Sequence, residues 1–149
     1  MTGGGSIVGN TTFTGGTLDP GSPTGTLTFA GNLTLTGAST LIMEIGGPND
    51  RLAGIGTFTL GGQLTVVPVA APSFTQGQTF NLFGFTTSSG SFANISLPFT
   101  ANGWVWDTSQ LGTTGVLTLT TITPVPEPST CLLLAAGLGV MVFVRRRAR

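Results

Sequence analysis

Residues 26–45 read Thr26-Leu-Thr-Phe-Ala-Gly-Asn-Leu-Thr-Leu-Thr-Gly-Ala-Ser-Thr-Leu-Ile-Met-Glu-Ile45. Large apolar residues alternate with Thr and other small residues, which is the pattern of short strands with one buried face. Gly31-Asn32 and Gly37 divide the stretch into three runs, 26–29, 32–36 and 40–45. Three such runs would make one triangular coil of a parallel β-helix. Its predicted interior is Leu27, Phe29, Leu33, Leu35, Leu41, Met43 and Ile45.

The same alternation continues along the chain to Val66, with Gly61-Gly62 as a further turn. No helical periodicity precedes the C-terminal tail. The sequence therefore predicts an all-β body. Very short turns favour stacked coils, which bury a continuous apolar core with few charges. An antiparallel β-sandwich built from hairpins is the alternative.

The second half of the body is rich in aromatic residues. Pro68 and Pro72 interrupt the strand pattern and indicate a loop. Trp104 and Trp106 share one face at strand spacing. We interpret the aromatic residues as a hydrophobic cap on the C-terminal end of the body, with a sugar-stacking platform at Trp104 and Trp106 as the alternative. The cap residues are Phe80, Phe83, Phe85, Phe92, Phe99, Trp104 and Trp106.

Charge and composition exclude several functions. Charged residues make up 7% of the chain, and His is absent. Catalytic Ser-His-Asp or Cys-His arrangements and His-containing zinc sites are therefore excluded. Before the apolar run that begins at Cys131, the chain contains one basic residue, Arg51, and five acids, a formal charge of −4. This weakly acidic segment argues against nucleic acid binding.

Glu44 and Asp50 are the closest pair of acids, and such a pair could in principle cleave glycosides. Glu44 stands between Met43 and Ile45, so it should point outward into solvent. Asp50 lies in a Pro-Asn-Asp turn, where the side chain usually caps its own backbone. The segment 46–52 partly resembles a calcium-binding nonapeptide, but it lacks the third Gly and occurs once. We interpret it as a turn and predict a non-enzymatic protein with no metal site and no cofactor.

Thr-x-Thr runs recur in the strands, for example at Thr34–Thr36 and Thr57–Thr59. On a flat solenoid face, stacked rows of Thr can order water and bind ice. We favour the interpretation that these Thr residues are ordinary exposed positions of strands, in which Thr is common.

The C-terminal tail has an apolar run, from Cys131 to Val144, followed by arginines. We predict a transmembrane helix at residues 129–144, about 24 Å long against a hydrocarbon core of about 30 Å. Snorkelling arginines would close the gap and keep the C-terminus in the cytoplasm. The basic stop is Arg145, Arg146, Arg147 and Arg149.

The tail resembles the PEP-CTERM protein-sorting family. The resemblance rests on Val125, Pro126, Glu127 and Pro128, a short apolar helix and a terminal arginine cluster, in that order. It implies that residues 125–128 are the sorting signal, recognised and processed by an exosortase-type membrane enzyme during export. It also implies a Gram-negative bacterium that makes extracellular polysaccharide, itself a possible partner. A plain membrane anchor is the alternative.

The body resembles autotransporter-associated β-strand repeats. The resemblance rests on Leu18–Phe29, Asp50–Leu52, Gly56–Leu64, Gly77–Phe83 and Gly90–Phe92, with Trp104–Leu117 as the closing strand pair. It implies a right-handed parallel β-helix on the bacterial surface.

These observations divide the chain into three segments. Residues 1–23 are a Gly/Thr-rich partial repeat, 24–123 the strand-repeat body and 124–149 the sorting tail. Met1-Thr-Gly-Gly-Gly-Ser has no signal-peptide pattern. We therefore expect a piece of a longer protein, or targeting by the tail itself. The predicted function is that of a surface or extracellular-matrix protein, with a carbohydrate- or ice-binding module as the alternative.

Overall fold

The computed structural model describes residues 1–69, 73–100 and 103–121, and these residues form twelve β-strands in three sheets. Sheet 1 contains β1 (Gly5–Val8), β2 (Thr11–Phe13), β4 (Thr26–Leu35), β6 (Arg51–Leu60) and β9 (Phe83–Gly90). Sheet 2 contains β3 (Gly16–Leu18), β5 (Ser39–Ile45), β7 (Gln63–Pro68) and β10 (Asn94–Ser96). Sheet 3 contains β8 (Thr79–Asn81), β11 (Trp104–Asp107) and β12 (Val116–Thr121).

The chain alternates between sheets 1 and 2, and we call one passage through both sheets a coil. Each strand of a coil pairs in parallel with the corresponding strand of the next coil, as β4 does with β6 and β5 with β7. Among the described strands, antiparallel pairing is confined to sheet 3. The predicted all-β body is confirmed, and the right-handed parallel β-helix stays a prediction. The sandwich alternative requires hairpins, and the described strands of sheets 1 and 2 form none.

The core follows from the register between coils. In sheet 2, Leu18 lies opposite Leu41, Leu41 opposite Leu64 and Leu64 opposite Ile95. Identical faces therefore stack strand upon strand, and the alternating pattern of each strand becomes a continuous apolar column. All seven interior residues predicted for residues 26–45 are buried.

The division of residues 26–36 into two strands is wrong. Strand β4 runs through Gly31 and Asn32, with irregular pairing to β6 on either side of Gly31. A Cβ at Gly31 would lie 2.5 Å from the backbone of Gly9, so glycine permits the close approach of the neighbouring coil. The bend therefore occurs as a bulge inside one strand rather than as a turn between two.

Sheet 3 and the aromatic residues adjoin the C-terminal coil. Strands β11 and β12 pair with each other in antiparallel register. Phe80 and Phe83 are buried, whereas Phe85, Phe92 and Trp106 pack partly buried against the core. Phe99 is the exception to the predicted cap, because 95% of it is exposed.

Candidate functional site

Three carboxylates meet where the chain passes from sheet 2 of one coil to sheet 1 of the next. Asp19 follows β3, Glu44 lies near the end of β5, and Asp50 directly precedes β6. One carboxylate oxygen from each lies within 4.8 Å of the others. Stacking of successive coils produces this cluster, because equivalent ends of neighbouring strands lie side by side. We call Asp19, Glu44 and Asp50 the acidic cluster.

Asp50 connects two segments of the chain. Its Oδ1 accepts a hydrogen bond from the backbone N–H of Gly25 at 2.7 Å, and its Oδ2 accepts one from Glu44 at 2.8 Å. The side chain is completely buried. The prediction that Asp50 caps its own turn is wrong, because the carboxylate binds backbone amides 25 and 6 residues away. Burial raises the pKa of Asp50, and these two hydrogen bonds oppose the rise.

Glu44 lies on the outer face of β5, as predicted, but solvent does not surround it. The residue is half-buried, and its Oε2 is a fully buried atom that has no hydrogen-bond partner among the residues that the structure describes. Burial raises the pKa of Glu44, and repulsion from Asp50 and then Asp19 raises it further. The prediction of an exposed, solvated acid is therefore wrong.

The acidic cluster offers hard oxygen ligands, which suit Ca²⁺ or Mg²⁺. Asp50 already uses both oxygens for backbone hydrogen bonds, so its coordinating capacity is reduced. The sequence interpretation considered only Glu44 and Asp50 and missed Asp19. The overlooked signal was spacing: Asp19 and Glu44 are as far apart in sequence as Thr26 and Arg51, which lie opposite each other in successive coils.

The two tryptophans have different surroundings. Trp106 packs edge-on against Phe74, with ring centroids 5.4 Å apart, and its Nε1–H donates to the Pro98 carbonyl at 2.9 Å. Trp104 instead lines an open cleft of about 740 Å³ with Phe74 and Phe99. A ligand platform at Trp104 and Trp106 stays a prediction, and Trp104 has the more open position of the two.

The outer face of sheet 1 carries polar side chains in register. Thr12 lies opposite Thr34, Thr34 opposite Thr59 and Thr59 opposite Ser89. A parallel row includes Thr57 and Thr87, whose hydroxyl oxygens are 3.0 Å apart. The Thr rows of different strands therefore align across four coils.

Asn10 and Asn32 contribute to the same face at the bulge. The Asn10 side-chain oxygen accepts the N–H of Asn32 at 3.0 Å, and the Asn32 side-chain oxygen accepts the N–H of Thr57 at 2.8 Å. These amide groups satisfy backbone donors where the ladder is irregular. The sequence analysis did not predict that these Asn side chains accept backbone hydrogen bonds. The signal that could have indicated it is an Asn directly after a Gly at the predicted break.

The predicted sorting signal and basic stop lie outside the described residues, so their relation to the body is known from sequence alone. A scan against protein families matches residues 124–148 to the PEP-CTERM protein-sorting motif. The chain therefore carries this motif at its C-terminal end. The resemblance of the body to autotransporter-associated repeats is not supported. No curated protein and no solved structure matches the chain.

The described residues contain no helix long and apolar enough to cross a membrane. The transmembrane helix predicted at residues 129–144 lies outside that part of the chain.

Proposed function

We propose that the protein is exported and sorted through its C-terminal tail, and that an exosortase-type membrane enzyme processes it. The PEP-CTERM motif at residues 124–148 is the observation that carries this proposal. The apolar run and the arginines that follow Pro128 would hold the chain in the membrane during processing. The β-strand body would then remain at the cell surface or in the extracellular matrix of a Gram-negative bacterium, where polysaccharide is a possible partner.

The body would act without catalysis. Of its acids, Asp50 is buried and accepts two backbone hydrogen bonds, which is the environment of a structural carboxylate. Glu44 has a raised pKa, as many catalytic acids do, but one of its two carboxylate oxygens, Oε2, is buried within the body. These features support a surface or matrix role over hydrolysis.

Processing is tested in the native host by intact-mass measurement of surface-extracted protein. The mature chain should lack the residues that follow the Pro-Glu-Pro region. Replacement of Pro126, Glu127 and Pro128 by alanine should leave Arg149 in place and retain the protein in the membrane. Thr123→Ala, outside the signal, is the matched control and should be processed normally. Retention of Arg149 in the unmodified protein would reduce the tail to a plain membrane anchor.

A second candidate function is binding of ice or carbohydrate at the outer face of sheet 1. The aligned rows favour it, because hydroxyls would repeat about 4.8 Å apart across strands and roughly 6.6 Å apart along them. A regular array of this kind can order water or meet the hydroxyls of a glycan. The alignment of Thr12, Thr34, Thr59 and Ser89 is the specific support.

This second function is tested by inhibition of ice recrystallisation and by glycan binding. Thr34→Val and Thr59→Val remove two neighbouring hydroxyls while keeping β-branched strand residues. Both activities should fall in the double variant. Thr118→Val in sheet 3 is the matched control. Activity that is absent from the unmodified protein, or equal in both variants, would exclude this face as the binding surface.

A further inference from the structure

The cleft beside Trp104 is apolar and open to solvent. Pro68, Phe74, Pro98 and Phe99 line it together with Trp104. Phe99 is 95% exposed, an unusual position for a large aromatic side chain. A surface of aromatic and proline rings is suited to an apolar partner rather than to a charged one.

The walls of the cleft are held by contacts within the body. Trp106 donates to the Pro98 carbonyl at 2.9 Å, and the Thr100 hydroxyl donates to the Trp104 carbonyl at 2.6 Å. Phe74 packs edge-on against both Phe80 and Trp106. Because these contacts hold the Phe74 ring and the backbone at Pro98 and Trp104 before anything binds, ordering of these parts would cost an occupant little affinity.

The chain leaves the described region beside this cleft. Strand β12 ends at Thr121, which is paired directly with Trp104 in antiparallel register. Residues 122–128 follow and read Ile-Thr-Pro-Val-Pro-Glu-Pro. An extended proline-rich segment spans about 3.1 Å per residue, so these seven residues reach roughly 20 Å. That length is enough to cross the cleft from its Trp104 wall.

The chemistry of residues 122–128 matches that of the cleft. Proline-rich segments bind grooves lined by aromatic rings, because their fixed φ lowers the entropy lost on binding. With three residues per turn, residues three apart share a face in this conformation. Ile122, Val125 and Pro128 would face the cleft, and Pro124 and Glu127 would share a face in water. Covalent attachment further raises the effective concentration of the segment at the site.

We propose that the cleft lined by Phe74, Phe99 and Trp104 is an intramolecular docking site for residues 122–128. The sorting signal then rests on the folded body, and a processing enzyme must withdraw it before binding. The body would thereby control how readily the signal is presented. The docking stands on the geometry of the body, whereas this consequence rests on the proposed function.

Docking is tested on the full chain in lipid nanodiscs by nuclear magnetic resonance. Ring protons of Pro128 should show nuclear Overhauser contacts to the rings of Trp104 and Phe99 and upfield ring-current shifts, whereas those of Pro124 should not. Phe99→Ser should abolish both signals, and because this side chain is exposed the fold should survive. Val8→Ser, equally exposed in the first coil, is the matched control and should leave them unchanged.

Four results would overturn the proposal. They are Pro128 signals at random-coil positions, contacts of the Pro128 ring to lipid instead, contacts that disappear on dilution and so come from a second copy, and saturation of the cleft by a sugar with no proline contact. In the native host, Phe99→Ser should also speed removal of the tail. If the unmodified protein shows the contacts but is never processed, the proposed function fails and the docking stands.

Discussion

Glu44 occupies an outward position on a strand and is nevertheless poorly solvated. Its neighbour Asp19 lies in the loop after β3, one coil earlier, and Asp50 lies in the loop after β5, so that the three carboxylates are close together. Both Glu44 and Asp50 have raised pKa values, chiefly because burial disfavours their charged forms. The acidic cluster is therefore a source of instability at neutral pH rather than a stabilising feature.

The pH dependence of stability follows from these shifts. A carboxyl whose pKa is higher in the folded state binds its proton more readily there than in the unfolded chain. Stability should therefore fall as the pH rises above the ordinary values of 3.8 and 4.5 through the raised pKa values of Asp50 and Glu44. Thermal melting in the presence of a chelator, between about pH 4 and 7, measures this. A melting temperature that rises steadily over that range would contradict the prediction.

Glu44→Gln should stabilise the protein at pH 7, since the amide keeps the shape of the side chain and removes the charge. We expect the melting temperature to rise by roughly 2–5 °C. Asp107→Asn is the matched control, because hydrogen bonds from Ser109 lower the pKa of Asp107 instead of raising it. That variant should be neutral or destabilising. A loss of stability in Glu44→Gln at neutral pH would show that the carboxylate has a favourable partner.

Period-two alternation predicted the interior of β4 and β5 because inward and outward positions are set locally by the pleat. The acidic cluster could not be predicted in the same way. Asp19 and Glu44 become neighbours only when coils stack. Stacking depends on the register between two strands, which the sequence of one strand does not determine. The sorting tail was the opposite case, since its order of proline signal, apolar run and arginines is complete within contiguous sequence.

At the level of elements, the turn after β6 depends on glycine. Gly62 has a φ of +66°, and a Cβ there would overlap the carbonyl oxygen of Ser39. Gly62→Ala should therefore destabilise the fold by about 2 kcal/mol or more. Gly37→Ala is the control, because nothing lies within 4 Å of the position that an added Cβ would take, and the change should be nearly neutral. Denaturant unfolding of both variants checks the difference, and equal stabilities would contradict this account of the turn.

The leucine column of sheet 2 should carry much of the stability of the coils. Leu41 is completely buried between Leu18 and Leu64, so Leu41→Ala would leave a cavity in the column. We expect a loss of about 2–5 kcal/mol in the free energy of unfolding. Ile42→Ala, on the half-buried outer face of the same strand, should cost much less. Similar losses for the two variants would mean that the column is not the main core.

The break predicted at Gly31-Asn32 shows what strand signals cannot distinguish. Glycine followed by Asn is typical of a turn, and the same pair also suits a bulge. Whether the pair forms a turn or a bulge depends on the neighbouring coil. There Gly9 and Asn10 interrupt the pairing at the same level, and the Asn10 side-chain oxygen accepts a hydrogen bond from the N–H of Asn32. Local sequence therefore predicted where the chain bends but not whether it leaves the sheet.

For the whole molecule, strand pairing in sheets 1 and 2 joins successive coils of the described residues, so stability should vary along the stack. Strands β6 and β7 are paired on both sides, whereas β1, β2 and β3 lie at an edge of their sheets among the described strands. Amide hydrogen exchange should be slowest in residues 51–68 and faster in residues 5–18. Mass spectrometry of peptic fragments measures it. Uniform protection would indicate that the coils open together rather than from one end.

Thr26 lies opposite Arg51, 25 positions later, so the segment 26–50 begins and ends at equivalent points of two successive coils. An in-frame duplication of this segment would insert one more layer without disturbing those on either side. Deletion of this segment would join Gly25 to Arg51. Leu52 would then pair with Gly5, in the position that Leu27 occupies now. Unequal recombination within the gene could thus change the height of the body in inherited steps of one strand spacing, about 4.8 Å.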